Sequence, residues 1–236
     1  MRREAGLAAE GTRAAILDAA ETVFAEAGFA GASVRAIAQR AGVNQPLIHY
    51  HFESKDRLYA EVIDRRAGDI NGRRAAALDA LIAEAAPKTP PLEAVITALL
   101  RPTIELGHDP ARGGQHYANL VVALGNGTDE RSIRLTAEHY NPIARRYIEA
   151  IRSALPRLSH PDAVRGYLYA ISIALPQMAR TGRAASLSGG AADDSDVDTI
   201  LSRTVPFICA GLRALADTPA PSQQKQTNQR EKEETR

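Results

Sequence analysis

The chain has a single cysteine, Cys209, among 236 residues, which excludes an internal disulfide and any metal site built from several thiolates. A lone cysteine of this kind is expected to be a small buried hydrophobe. Long apolar runs are also missing. No stretch approaches the roughly 18–20 residues that span a bilayer, and the opening MRREAGLAAEGT has no apolar stretch of the signal-peptide type. The expected location is therefore the cytoplasm, with no membrane partner. Neither charge sign dominates: 29 basic residues face 28 acidic ones, so charge has to be read locally. Sustained alternation of the strand type, with turn pairs, is absent. So are HExxH, GxSxG, paired-cysteine frames and phosphate-binding glycine loops. His108, His116, His139 and His160 have nearby acids but no catalytic spacing. His49 and His51, two apart on a helix, diverge by roughly 200° and cannot chelate one ion. No enzymatic activity, cofactor or metal is expected.

What the chain does have is concentrated in Ser33 to Lys55, SVRAIAQRAGVNQPLIHYHFESK. Val34, Ile37, Ala38 and Ala41 fall at i, i+3, i+4 and i+7, one face of a helix. Gly42 ends it, because glycine takes the left-handed residue after a last turn without a Cβ clash. Asn44 is a good N-cap for the next helix, and Pro46 suits a first turn. Leu47, Ile48 and Phe52 anchor this second short helix, which leaves Gln45, His49 and Tyr50 pointing outward. Arg35 and Arg40 lie between Ser33 and Phe52 with no acid, and Lys55 follows. A two-turn helix with polar and aromatic tips on a positive surface suits a DNA major groove. The candidate DNA-binding residues are Ser33, Val34, Arg35, Asn44, Gln45, Pro46, Leu47, His49, Tyr50 and Lys55. Gln45, Leu47 and His49 are expected to read bases, while Ser33, Arg35, Tyr50 and Lys55 hold phosphates.

From Thr12 to Ile63 the sequence resembles the N-terminal domain of TetR-type bacterial transcriptional repressors. The landmarks are Thr12, Arg13, Ile16 and Leu17, the Phe24 to Gly28 helix end, Ser33 through Gly42, and His51, Phe52, Ser54 and Lys55 with Leu58. His49 stands where the family commonly has tyrosine, and Pro46 where glycine is frequent, so the operator sequence does not carry over. The resemblance implies an all-α fold: an N-terminal three-helix helix-turn-helix domain and a larger C-terminal helical ligand-binding and dimerisation domain. It further implies a homodimer, a palindromic double-stranded DNA operator, and a small-molecule effector whose binding releases the DNA. Ala137 to Leu155, AEHYNPIARRYIEAIRSAL, is similar to a subgroup of which some members answer to fatty acyl ligands.

Taken in order, residues 1–11 read as a flexible arm, 12–63 as the DNA-binding domain, 64–217 as the effector and dimer domain, and 218–236 as a disordered tail. Helix one is expected from Thr12 to Ala27 and helix four from Ser54 toward Ala86, ended by PKTPP. Helices then follow over Leu92 to Ile104 and beyond, Gln115 to Leu124, Thr128 to Leu155, His160 to Arg183 and Asp194 to Ala216, with SLSGGAADDSD as a flexible link. Its acids suit helix capping better than calcium. Polar and aromatic groups on apolar helices, namely Thr103, His116, Tyr117, Asn119, Tyr140, Tyr167, Gln177 and Met178, are the candidate effector contacts. They call for a cavity above about 300 Å³ and a largely apolar or aromatic ligand. The last two helices offer a dimer surface, with the stripes Val164, Leu168, Ile171, Leu175 and Ile200, Leu201, Val205, Ile208, Leu212: a single subunit must bury one face of each, and the spare faces are the expected seam of a four-helix bundle between subunits. A helical protein–protein adaptor without specific DNA binding is the alternative, but it leaves the outward donors unexplained.

Overall fold

The computed structural model describes residues 2–109, 114–178 and 181–218, excluding the side chains of residues 2–9 and of Gln115. It contains eleven helices and no strand among them: α1 (Arg2–Gly31), α2 (Val34–Ala41), α3 (Gln45–Phe52), α4 (Lys55–Ala85), α5 (Leu92–His108), α6 (Gly114–Asn126), α7 (Glu130–His139), α8 (Asn141–Ala154), α9 (His160–Met178), α10 (Arg183–Ser188) and α11 (Val197–Asp217). The short N-terminal helices begin on the caps expected of them. The side-chain oxygens of Ser33, Asn44 and Ser54 accept the backbone N–H of Ala36 (3.1 Å), Leu47 (3.0 Å) and Arg57 (3.1 Å). Gly42 is left-handed (φ 68°, ψ 28°), and the Val43 N–H returns to the Ala38 carbonyl at 3.0 Å, the bond that closes a Schellman turn.

Ile16, Phe24, Ile37, Ile48, Phe52 and Leu58 pack together as the core of this unit. That core is not finished by the first 63 residues: Leu120 and Leu124 of α6 and Leu135 of α7 are part of it. The second core lies among α4, α5, α8, α9 and α11, around Ile96, Leu99, Tyr147, Ile151, Ala170 and Ile208. Each fully buried side chain of this size contributes about 1.5–3 kcal/mol. Cys209 is completely buried there, and burial pushes its thiol up to about 11.

Several boundaries differ from expectation, each for a local reason. α1 begins at Arg2, not Thr12, in keeping with the good helix formers Glu4, Ala5, Leu7, Ala8 and Ala9, and it is broken at Gly28 (φ 66°, ψ 172°). Thr128 to Leu155 is two helices, parted at Tyr140, because Pro142 has no N–H and belongs in the first turn of α8. Part of the expected link is helical, as α10. Asp196 caps α11 through the Thr199 N–H at 2.7 Å, the role foreseen for that acidic cluster. All of the expected tail except Thr218 falls outside the described residues.

One of the two stripes on the last helices is buried within the subunit. Ile200, Leu201, Val205, Ile208 and Leu212 are buried in the subunit's own core, because α11 turns that stripe onto α5 and α9. By length and composition α11 would also suffice to cross a membrane; its apolar stripe is the one packed in the core. The large apolar side chains that stay exposed on α9 and α11 are Leu168, Tyr169 and Phe207.

Polar contacts tie α1, α4 and α7 to one another. Glu21, only 3% exposed, accepts from Arg65 (2.7 Å) and Arg66 (2.8 Å). Arg131 of α7 lies 3.5 Å from the Phe29 ring centroid and pairs with Asp56 at 2.8 Å. Lys55 departs from its expected phosphate role. Its ammonium donates to the carbonyls of Phe29 and Ala32, both at 2.9 Å, and sits 4.3 Å from the Phe29 centroid. It thereby satisfies the carbonyls at the broken end of α1.

Three outcomes follow from this packing. Lys55→Met keeps the stem but loses two charge-assisted bonds, and should lower unfolding stability by about 2 kcal/mol in urea titrations; a lysine serving only phosphate would change it by less than about 0.5 kcal/mol. At Gly107 an added Cβ would stand 2.6 Å from the Met178 carbonyl oxygen and 2.7 Å from its Cα. Gly107→Ala is therefore expected to cost about 1–3 kcal/mol by overpacking. Gly68→Ala, with nothing within 4 Å, should instead stabilise α4 by up to about 1 kcal/mol.

Candidate nucleic-acid interface and the cavity behind it

α2 and α3 hold eight residues each, and their buried sides, Ile37, Ala38, Ile48 and Phe52, fix which side chains can face outward. Arg35, Gln45, Pro46, His49 and Tyr50 are exposed, Tyr50 at 80%. Ser33 and Asn44 are exposed too, but their oxygens are engaged as caps. Val34 and Leu47 are half-buried, so they offer an edge at most. The His49 ring Nδ1 lies 3.3 Å from the Glu53 carbonyl; the tautomer that donates there leaves Nε2 available to a partner. Glu53 itself is left-handed (φ 61°, ψ −49°), a strained state for a residue with a Cβ. This lets α4 start after only Glu53 and Ser54, directly behind α3.

The electrostatics sharpen the assignment. Arg40 is drawn to Glu26 at 3.7 Å, Lys55 is turned inward, and Arg13 pairs with Glu61 and lies over the Phe52 ring. Arg35 has no ion pair among the described residues, and it stands in the first turn of α2. It is the cation of this surface most available to a phosphate.

Behind the reading unit is a cavity of about 180 Å³ between α4, α5, α6, α7, α8 and α9. Thr103, Tyr117, Tyr140 and Tyr167 line it, as expected. Four other candidates do not. His116 and Asn119 lie on other faces of α6, since Tyr117, Val121 and Leu124 form the cavity face at i, i+4 and i+7. Gln177 accepts from Thr204 at 2.8 Å and donates to the Ile173 carbonyl at 3.1 Å, and Met178 is buried beside Ile70, Leu106 and Ala118. The volume falls short of the expected 300 Å³ or so, and a long acyl chain does not fit it as it stands. Asn141, Ala144, Tyr167 and Leu168 also border a neighbouring surface groove of about 560 Å³.

The hydroxyls of Tyr117 and Tyr140 are 3.1 Å apart. Burial pushes both, and that of Tyr167, above the usual phenol value, while the charge of Arg74 opposes the shift. All three therefore remain neutral hydrogen-bonding groups at physiological pH. Arg74 was not among the expected contacts. Its signal in the sequence was position: Ile63, Ala67, Ile70 and Leu78 make the buried stripe of α4, and Arg74 occupies that stripe too.

Comparisons with known proteins agree with this architecture. Residues 16–62 match the model of bacterial regulatory proteins of the tetR family, and residues 97–211 match the tetracyclin repressor-like C-terminal domain. The HTH-type transcriptional repressor Rv3405c of Mycobacterium tuberculosis is 46% identical over 63 residues, 27% of this chain and 34% of that protein. The HTH-type transcriptional activator FasR of Mycolicibacterium smegmatis is 38% identical over 69 residues, 29% of this chain and 32% of that protein. The match thus spans about a third of the length of these curated relatives. The fatty acid degradation regulator FadR of Bacillus halodurans shares the fold, with a TM-score of 0.61 at 15% identity over 86% of this chain and 96% of that one. A capped helix-turn-helix completed by a larger helical domain, with both parts matched by family models, makes this chain a member of the TetR family of DNA-binding bacterial transcriptional regulators.

Proposed function

We propose that the protein is a cytoplasmic, nucleoid-associated repressor that binds a palindromic operator as a homodimer and leaves it when a small, largely apolar or aromatic effector enters the cavity. The observation that carries this reading is the double duty of α6. Leu120 and Leu124 belong to the core of the reading unit, while Tyr117, Val121 and Leu124 again line the cavity. A ligand that reshapes one side of this helix therefore acts on packing that positions α2 and α3. A hundredfold loss of DNA affinity needs only about 2.7 kcal/mol of differential effector binding, and the coupling must be reciprocal. The cavity volume favours a ligand of one ring or a short chain over a fatty acyl group.

The dimer reading rests on the face of α9 and α11 that the subunit leaves open. Tyr169, Ile173, Phe207, Gly211 and Leu215 border an apolar groove of about 320 Å³ there, and a twofold pairing of such a face is the commonest closed assembly. Two reading helices would then meet the DNA about 34–36 Å apart or further. In this arrangement Gln45, Leu47 and His49 read bases, and Ser33, Arg35 and Tyr50 hold phosphates.

Binding of the purified protein to the DNA upstream of its own gene, at two salt concentrations, tests the reading. Gln45→Ala should relax specificity at one operator position by about 1–3 kcal/mol, whereas Arg35→Ala should weaken all operator variants alike and reduce the salt slope by about one. Identical behaviour of the two variants sinks the division of labour. For the dimer, Phe207→Arg should give a monomer in sedimentation and lose palindrome binding while keeping its helical spectrum. A wild-type monomer at micromolar concentration would refute the seam.

A further inference from the structure

Arg74 is 4% exposed, yet no carboxylate among the described residues pairs with it. Arginine cannot shed its proton to escape burial, and a buried charge without a counter-charge is costly. Its fork is only partly used. Nε donates to the Leu99 carbonyl at 2.9 Å and Nη2 to the Thr103 hydroxyl at 2.6 Å, so the edge holding these two nitrogens is fixed against α5. Nη1 has no partner among the described residues and is not sealed off from the cavity that Arg74 lines. The hydroxyls around it are neutral donors. Tyr117 and Tyr140 need one hydrogen between them for their mutual bond, which leaves the other to give, and Tyr167 also borders the cavity. The charge of Arg74 reaches all three. Ile70, Val121, Leu124, Ile171 and Leu175 make most of the remaining wall apolar, and Asn126, Thr136, Asn141 and Ser172 also border it.

We propose that the free side of the Arg74 guanidinium is an anion anchor, and that the effector is a small monocarboxylic acid bound as its carboxylate. Arg74 meets the carboxylate, a tyrosine hydroxyl donates the second bond, and an aryl or short branched body fills the apolar wall. One guanidinium and two or three hydroxyls match a single negative charge. A phosphate dianion in the same place would keep an uncompensated charge beside an apolar wall. Arg74 also explains the tyrosines: a cation fixed among them orients phenols that would otherwise be ordinary core. The inference rests on the cavity being the effector site, as read above.

The test uses the full-length protein with benzoate, phenylacetate, 4-methylpentanoate and hexanoate, each beside its primary amide, in thermal-shift assays followed by calorimetry. At least one acid should raise the melting temperature and bind about a hundredfold more tightly than its amide. Arg74→Lys should lose about tenfold, since the charge stays and the fork geometry goes. Arg74→Met should erase the preference for acid over amide. If Arg74→Met does not fold, Tyr140→Phe should still weaken the acid more than the amide. Binding of no acid in the panel overturns the proposal, as does equal binding of acid and amide, or acid binding unchanged in both Arg74→Met and Tyr140→Phe. The same compounds scored for release of operator DNA separate the two readings. An amide that releases DNA while no acid binds refutes only the anchor. An acid that binds through Arg74 and leaves DNA binding untouched refutes only the effector role of the cavity.

Discussion

The leucines that α6 and α7 contribute to the N-terminal core, Leu120, Leu124 and Leu135, are the contact on which the rest of the molecule depends. α2 and α3 are eight residues long, well below the roughly 12–15 residues at which isolated helices become even marginal in water. Caps at Ser33 and Asn44 contribute about 1 kcal/mol each, so the orientation of both helices comes from burial. Part of that burial is supplied by a different domain. The placement of α2 and α3 therefore depends on where α6 and α7 sit.

The polar contacts between the domains have a different character. The Glu21 carboxylate is nearly buried beside Arg65 and Arg66, and breaking such a group apart would strand a charge, at about 3–5 kcal/mol. It fixes α1 to α4 in one register. The contacts of α7 are more open: Asp56 is exposed where Arg131 meets it, as is Asp64 beside His139, and exposed pairs are worth about 0–1 kcal/mol. α1 and α4 therefore behave as one piece, while α7 is held by packing and can yield at modest cost.

Much of this was legible in the sequence, because it was written in local chemistry. Gly42, Asn44, Ser54, the proline cluster from Pro87 to Pro91 and the cap at Asp196 are short-range signals, and the helices start and stop on them. Quantities set by the packing of distant helices were less visible. The period of α11 revealed an apolar stripe but not its partner, and that stripe faces α5 and α9 within the subunit. His116, Asn119, Gln177 and Met178 are near the cavity in sequence but on the wrong faces of their helices. Lys55 reads as a phosphate ligand until the break at Gly28 leaves the Phe29 and Ala32 carbonyls within its reach. Arg74 was hard to single out because it follows Arg73 in a helix that carries charges along its whole length, where one more arginine looks like solvated surface.

Tyr140 shows how the pieces act together. It marks the break between α7 and α8 that Pro142 imposes, it lines the cavity, and its hydroxyl meets Tyr117 on α6. α8 is embedded in the C-terminal core through Tyr147 and Ile151, and the Tyr147 hydroxyl donates to the Arg74 carbonyl at 2.8 Å. The joint thus has one rigid side, α8, and one yielding side, α7. A group that took the hydrogen bond between the two tyrosines would remove a neutral bond worth about 0.5–1.5 kcal/mol, and the displacement would be absorbed on the yielding side. Leu135 and Arg131 are on that side, and they touch the core and the aromatic ring on which α2 and α3 are mounted.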